Sequence, residues 1–189
     1  MRPNPAITTL LSLAATLALL HGPARALSET EFQEAFQQFN QATQGHSELI
    51  EASAERFTTL SKAEPAHPLL RAYAGAATSL RATTTLLPWK KMSYAEDGLA
   101  QIDKGLALLG KEHEQQRVRG TPVSLETRFV AANTFLGLPG MFNRGARGSL
   151  LLQEILKDPL FASSPAGFQA AVRARAAKQA GAEPKAAQP

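Results

Sequence analysis

No cysteine occurs among the 189 residues. That excludes a disulfide framework, a thiolate metal site, a cysteine nucleophile and a lipid anchor on an N-terminal cysteine. Aromatic residues make up 6% of the chain, with one tryptophan and two tyrosines, so leucine, alanine and phenylalanine must build the core. Valine and isoleucine are few and no window of six residues alternates apolar with polar, which argues against a sheet. Long apolar runs are also missing beyond the first 20 residues. Catalytic signatures are absent: no G-x-S-x-G elbow, no phosphate loop ending in Lys-Ser/Thr and no H-E-x-x-H occurs.

What is present is helical. At 189 residues the chain can bury a sizeable core. The net charge of +4 is misplaced as an argument for nucleic acid. Residues 27–168 carry 14 Lys and Arg against 15 Asp and Glu, and the excess sits in Arg2, Arg25 and the C-terminal tail. Nucleic acid is therefore not an expected partner.

Arg2, the apolar run from Ala6 to Leu20, the breakers Gly22 and Pro23, and Ala24-Arg25-Ala26 together form a secretory signal pattern. Cleavage is expected between Ala26 and Leu27. The run is short for a spanning helix, which needs about 20 residues, so no stable membrane span is expected after cleavage. The mature protein is expected to be periplasmic, in a Gram-negative host, or secreted.

Ser28-Glu29-Thr30-Glu31 is a capping box and opens a first helix that Gly45 ends. A second helix is expected over about His46–Lys62. A third runs from about Pro68 to Leu87, where Pro88 stops it. A second capping box, Ser93 to Glu96, opens a fourth helix to about Leu109. Thr121 as N-cap and Pro122 at the first position open a fifth, to about Leu136. The sixth covers about Gly145–Lys157, closed by Asp158-Pro159. Ser164-Pro165 begins a seventh, reaching about Gln179. The fold class is all-α: stacked antiparallel helical hairpins, three pairs and a C-terminal helix. The expected organisation is a signal peptide over 1–26, a helical domain over 27–160, a capping helix over 161–180 and a disordered tail over 181–189.

In the fourth helix Gly98, Ile102 and Gly105 place small, large apolar and small residues at intervals of four and three, and Gly75 supplies a small residue on the helix before. This resembles the tetratricopeptide repeat. Residues 83–93 (TTTLLPWKKMS) lengthen the pair beyond the family spacing. In the third pair Leu151 and Pro159 fit the pattern, while Glu154 stands where a small residue belongs. About residues 29–160 resemble a divergent tetratricopeptide-like array. The order PLLxAYxGA, PWKK, GLxxIDKxLAL, ETRF and LPGMFNR is also similar to a group of bacterial exported proteins described only as tetratricopeptide-like. The resemblance implies a stacked helical solenoid and brings no activity with it.

The histidines read as solvated: His46 at a helix start, His67 in a Pro-rich break, His113 in a charged run. No metal or other cofactor is expected. Glu96 and Asp103 share a helix face about 10 Å apart, too far for a carboxylate pair. Gly137 to Gly148 reads either as a long connection or as a phosphate- or carboxylate-holding loop using Arg144 and Arg147. Pro88-Trp89-Lys90-Lys91 either seals the top of a helical pair or contacts a partner. Arg71, Arg81, Arg128 and Arg144 could join Trp89 in lining one groove.

The functional expectation is a non-enzymatic, exported scaffold that binds a protein or peptide partner in the bacterial envelope. Its expected contact residues are Arg71, Trp89, Lys90, Lys91, Arg128, Arg144 and Arg147. The alternatives are an accessory subunit of an envelope transport or assembly complex, an enzyme with an unrecognised site, and a membrane-associated protein held by Arg173, Arg175 and Lys178 in the tail.

Overall fold

A computed structural model describes residues 28–182. The signal pattern, its cleavage site and the end of the tail from residue 183 lie outside the described residues. The fold is all-α apart from one tiny hairpin.

The first capping box works as its residues dictate. Ser28 Oγ accepts the Glu31 amide at 3.0 Å and opens α1, Glu29–Thr43. Gly45, at φ +113°, turns the chain out of that helix, a conformation that disfavours any side chain. A 3-10 turn, Ser47–Leu49, leads into α2, Ile50–Ala63. The turn Glu64 to His67 precedes α3, Pro68–Leu80.

The next junction differs from the sequence expectation. α3 stops at Leu80, a 3-10 turn covers Arg81–Thr83, and Pro88 is the first residue of α4, Pro88–Ala107. The threonines end the earlier helix: Thr83 Oγ1 donates to the Leu80 carbonyl at 2.7 Å and Thr84 Oγ1 to the Arg81 carbonyl at 3.0 Å. Such local bonds compete with helix continuation. Proline lacks only an amide hydrogen that a first turn does not use, so it opens α4 and does not close α3. Ser93 consequently lies inside α4, where its hydroxyl faces Asp97 at 3.3 Å instead of capping.

After the short α5, Glu112–Gln115, strands β1 (Arg117–Val118) and β2 (Thr121–Pro122) pair antiparallel. Thr121 and Pro122 thus form a strand rather than a cap, and α6 begins one residue later, Val123–Gly137. A 3-10 turn, Gly140–Phe142, precedes α7, Gly145–Lys157. Asp158 caps the short α8, Pro159–Ala162, by accepting the Leu160 amide at 2.9 Å. α9, Ala166–Ala182, is longer than expected and packs on α7.

α3 is the centre of the molecule and packs on α2, α4 and α6. Its Ala- and Gly-rich surface allows this. A Cβ added at Gly75 would lie 2.5 Å from the Gly98 carbonyl oxygen, and one at Gly98 would lie 2.5 Å from that of Gly75. Gly105 sits against the backbone of Pro68 and Ala72 in the same way. Three glycines thus bring α3 and α4 together along their length. Phe32, Phe57, Leu69, Leu70 and Tyr73 belong to one core cluster, and Leu99, Ile102, Leu125, Phe135 and Ile155 to a second.

Candidate functional site

The site grows from the hairpin between α5 and α6. Val118 pairs with Thr121, so Arg119 and Gly120 form a two-residue loop. Both have positive φ, +52° and +76°. That is the type I′ geometry, whose twist suits a tight hairpin and which asks for a left-handed residue at each central position. Glycine adopts it freely; arginine does so at a cost of about 1–3 kcal/mol. The Arg119 amide donates to Glu29 Oε1 at 2.8 Å, fixing the loop to the start of α1. Its guanidinium lies over the Phe36 ring, 3.4 Å from the centroid, and donates to Glu126 Oε1.

Glu126 is on the first turn of α6, 1% exposed. Tyr73, on α3, donates its hydroxyl to the same Oε1 at 2.7 Å. Burial raises the Glu126 carboxyl above the ordinary carboxylate range, against the pull of Arg119 and the two hydrogen bonds. Burial likewise pushes the Tyr73 phenol well up, with the Glu126 charge adding to it. Glu126 Oε2 and Arg119 Nε are buried and have no partner. A buried carboxylate oxygen without a donor is unfavourable, and this one belongs to a residue that lines an open cleft of about 450 Å³.

The cleft runs between α1, α6 and α9 over Tyr73. Its walls are aromatic: Phe36 and Phe39 from α1, Phe129 from α6, Phe168 from α9. Asn40, Gln44 and Asn133 add amide groups. The site therefore combines apolar walls, amides that both donate and accept, and one buried carboxylate oxygen that has no donor. Among the described residues, no group of three or more His, Asp or Glu side chains is placed to hold a metal ion, and no helix is long and apolar enough to cross a membrane.

The basic residues expected to share a groove lie in separate places. Arg144 and Arg147, at the start of α7, both bind Asp103 of α4, at 2.8 and 2.6 Å, and both lie 5.4 Å from the Phe135 ring centroid. Arg128 reaches Asp158 at 3.4 Å. Arg81 binds Glu51 through two hydrogen bonds and covers Tyr94. Arg71 is half-buried and donates to the Pro65 carbonyl at 3.3 Å. Trp89, Lys90 and Lys91 are exposed on the first turn of α4. Asp103 lies about 21 Å further along that helix than Trp89. Trp89, 67% exposed, does not seal the top of a helical pair.

Two histidines also depart from expectation. His113 is buried, its Nδ1 accepting the Gly110 amide at 2.9 Å. His67 is half-buried, its Nδ1 has no partner, and burial together with nearby His113 lowers its pKa to about 4. Among the described histidines only His46 is exposed, facing Glu48 at 3.2 Å.

Sequence reasoning missed Arg119 and Glu126 as site residues. One signal was present: Glu126 precedes Phe129 by three and Asn133 by seven, so a carboxylate shares a helix face with a core phenylalanine. No family model, no curated protein and no solved structure matches the chain.

Proposed function

We propose that the protein is an exported, tetratricopeptide-like helical scaffold, without catalysis, that binds an extended segment of a partner protein in the cleft over Tyr73. The observation that carries this reading is the aromatic-walled cleft lined by Glu126, a residue whose Oε2 is buried without a partner. An extended peptide offers what the cleft lacks. Its side chains fill space between phenylalanine rings, its backbone matches the amides of Asn40, Gln44 and Asn133, and an N–H satisfies Glu126. The strained Arg119 and the buried charge beside it are the kind of local expense that binding sites carry.

The repeat reading is supported by the pairing of α1 with α2, α3 with α4 and α6 with α7, and by the glycine contacts within the middle pair. Residues from α1, α3 and α6, the first helices of the three pairs, meet in the cleft with residues of the C-terminal α9. Stacked helical units commonly use such a surface for binding. Export is supported by the pattern over residues 2–26, and an envelope partner follows from it.

A photo-reactive residue placed at Asn133, in the cleft, and separately at Glu55, exposed on α2, tests this in cells that make the full chain. Asn133 should yield an adduct whose cross-linked fragment is one extended segment of one protein, and Glu55 should not. Equal labelling from both positions, or none from Asn133, rejects the reading.

A further inference from the structure

Between α3 and α4 the chain leaves its own core. Leu86 is 92% exposed, Trp89 67% and Leu87 39%. These three large apolar side chains fall within four consecutive positions, beside Pro88. Single exposed apolar residues need no explanation. A run of them at the tip of one connection does.

The charge around the tip is one-sided. No acidic residue occurs between Glu64 and Glu96. Of the basic residues in that interval, Arg81 is held by Glu51 and Arg71 turns back to Pro65. Lys90 and Lys91 are exposed and make no ion pair among the described residues. Glu96 begins at least about 7 Å further along α4. The tip therefore presents leucine, tryptophan and two free ammonium groups together.

We propose that residues 86–91 are a membrane-contact tip that seats in the interface of an anionic bilayer. The chemistry of each side chain matches a depth. Leu86 and Leu87 enter the acyl boundary. The Trp89 indole lies at the headgroup level with its N–H wet, and the lysines extend to lipid phosphates. A protein partner fits the tip less well. A stable protein interface needs about 800 Å² from each side, whereas Thr83, Thr84 and Ser93 beside the tip are exposed and polar. A side chain as free as Leu86 protrudes, and a fluid interface accepts a protrusion without a preformed pocket. With three apolar side chains and two cations the attachment is weak and reversible. It is peripheral, and it does not depend on the cleft.

Trp89 is the sole tryptophan, so intrinsic emission reports this tip alone, whatever the rest of the full chain does. Titration with phosphatidylglycerol–phosphatidylcholine vesicles should move the emission to shorter wavelength, and brominated acyl chains should quench it. Lys90→Gln with Lys91→Gln should lower partitioning by about 30-fold, from about 1 kcal/mol per cation. Leu86→Ser should lower it without altering the circular dichroism, since that side chain is 92% exposed. Emission unchanged by vesicles overturns the proposal, even if the chain sediments with them, because attachment then lies elsewhere. A shift of equal size on phosphatidylcholine alone, indifferent to both lysines, overturns it as well.

Discussion

Gly98→Ala should destabilise the protein far more than a single methyl group suggests. The added Cβ would lie 2.5 Å from the Gly75 carbonyl oxygen and 2.9 Å from the Ser79 amide nitrogen, and would collide with the Ser79 hydroxyl. Ordinary contact begins near 3.4 Å. The hydroxyl can rotate away, but the two backbone atoms cannot, so α3 and α4 must separate by roughly 1 Å. Overpacking of this kind costs about 1–3 kcal/mol, occasionally more. Alanine returns about 1 kcal/mol of helix propensity, which leaves a net loss of about 1 kcal/mol. For a chain of this size that corresponds to a fall in Tm of about 2–4 °C, read by far-UV circular dichroism. Gly75→Ala meets the Gly98 carbonyl oxygen at 2.5 Å and Ile102 Cγ1 at 2.8 Å, and should behave alike. The double variant should lose less than the two losses added, because one separation relieves both collisions. Gly145→Ala, with nothing within 4 Å of its Cβ, should be neutral or slightly stabilising. A Gly98→Ala protein that melts at or above the wild-type temperature, or a double variant that is fully additive, would refute the close approach of these two helices.

Glu126→Gln should not lower stability to urea at neutral pH, because burial disfavours the charged carboxylate more than Arg119 and the hydrogen bonds favour it, and the neutral amide can still accept the Tyr73 hydroxyl. The His67 imidazole has a pKa of about 4 when folded against 6.5 ordinarily, so the unfolded chain binds the proton more readily. Its stabilising effect is complete above pH 6.5 and is lost as the pH falls towards 4, by up to about 3 kcal/mol. Urea unfolding at a series of pH values should show this loss, and His67→Gln should flatten it. Glu126 acts in the opposite sense. Its raised carboxyl pKa means that the folded chain binds the proton more readily, so its contribution falls as the pH rises above 4.5. Comparing the pH slopes of the two variants separates the groups.

Local features were legible in the sequence. Ser28 and Glu31 are three residues apart, and a cap needs nothing else. Gly45 ends a helix by its own backbone freedom. Pro88 was misread because proline is compatible with both a stop and a start, and the hydrogen bonds of Thr83 and Thr84 decide between them. The partners of charged groups were not legible. Arg144 and Arg147 find Asp103 only because α4 and α7 meet, and the same holds for Arg128 and Asp158. His67 and His113 lose solvent through a contact between distant segments. The cleft brings Tyr73, Arg119 and Glu126 from three parts of the chain, and only the helical spacing of Glu126, Phe129 and Asn133 hinted at it.

The bond from the Arg119 amide to Glu29 spans 90 residues and that from Tyr73 to Glu126 spans 53, whereas the contact of Gly75 with Gly98 joins two consecutive helices. Closing a long loop delays a contact during folding. The α3–α4 hairpin should therefore form early and the cleft late. The same ordering makes the cleft an early region to open in the native ensemble. Amide hydrogens of α1 and the Arg119 turn should exchange with solvent faster than those of α3, and an occupant bridging α1, α6 and α9 would slow them selectively.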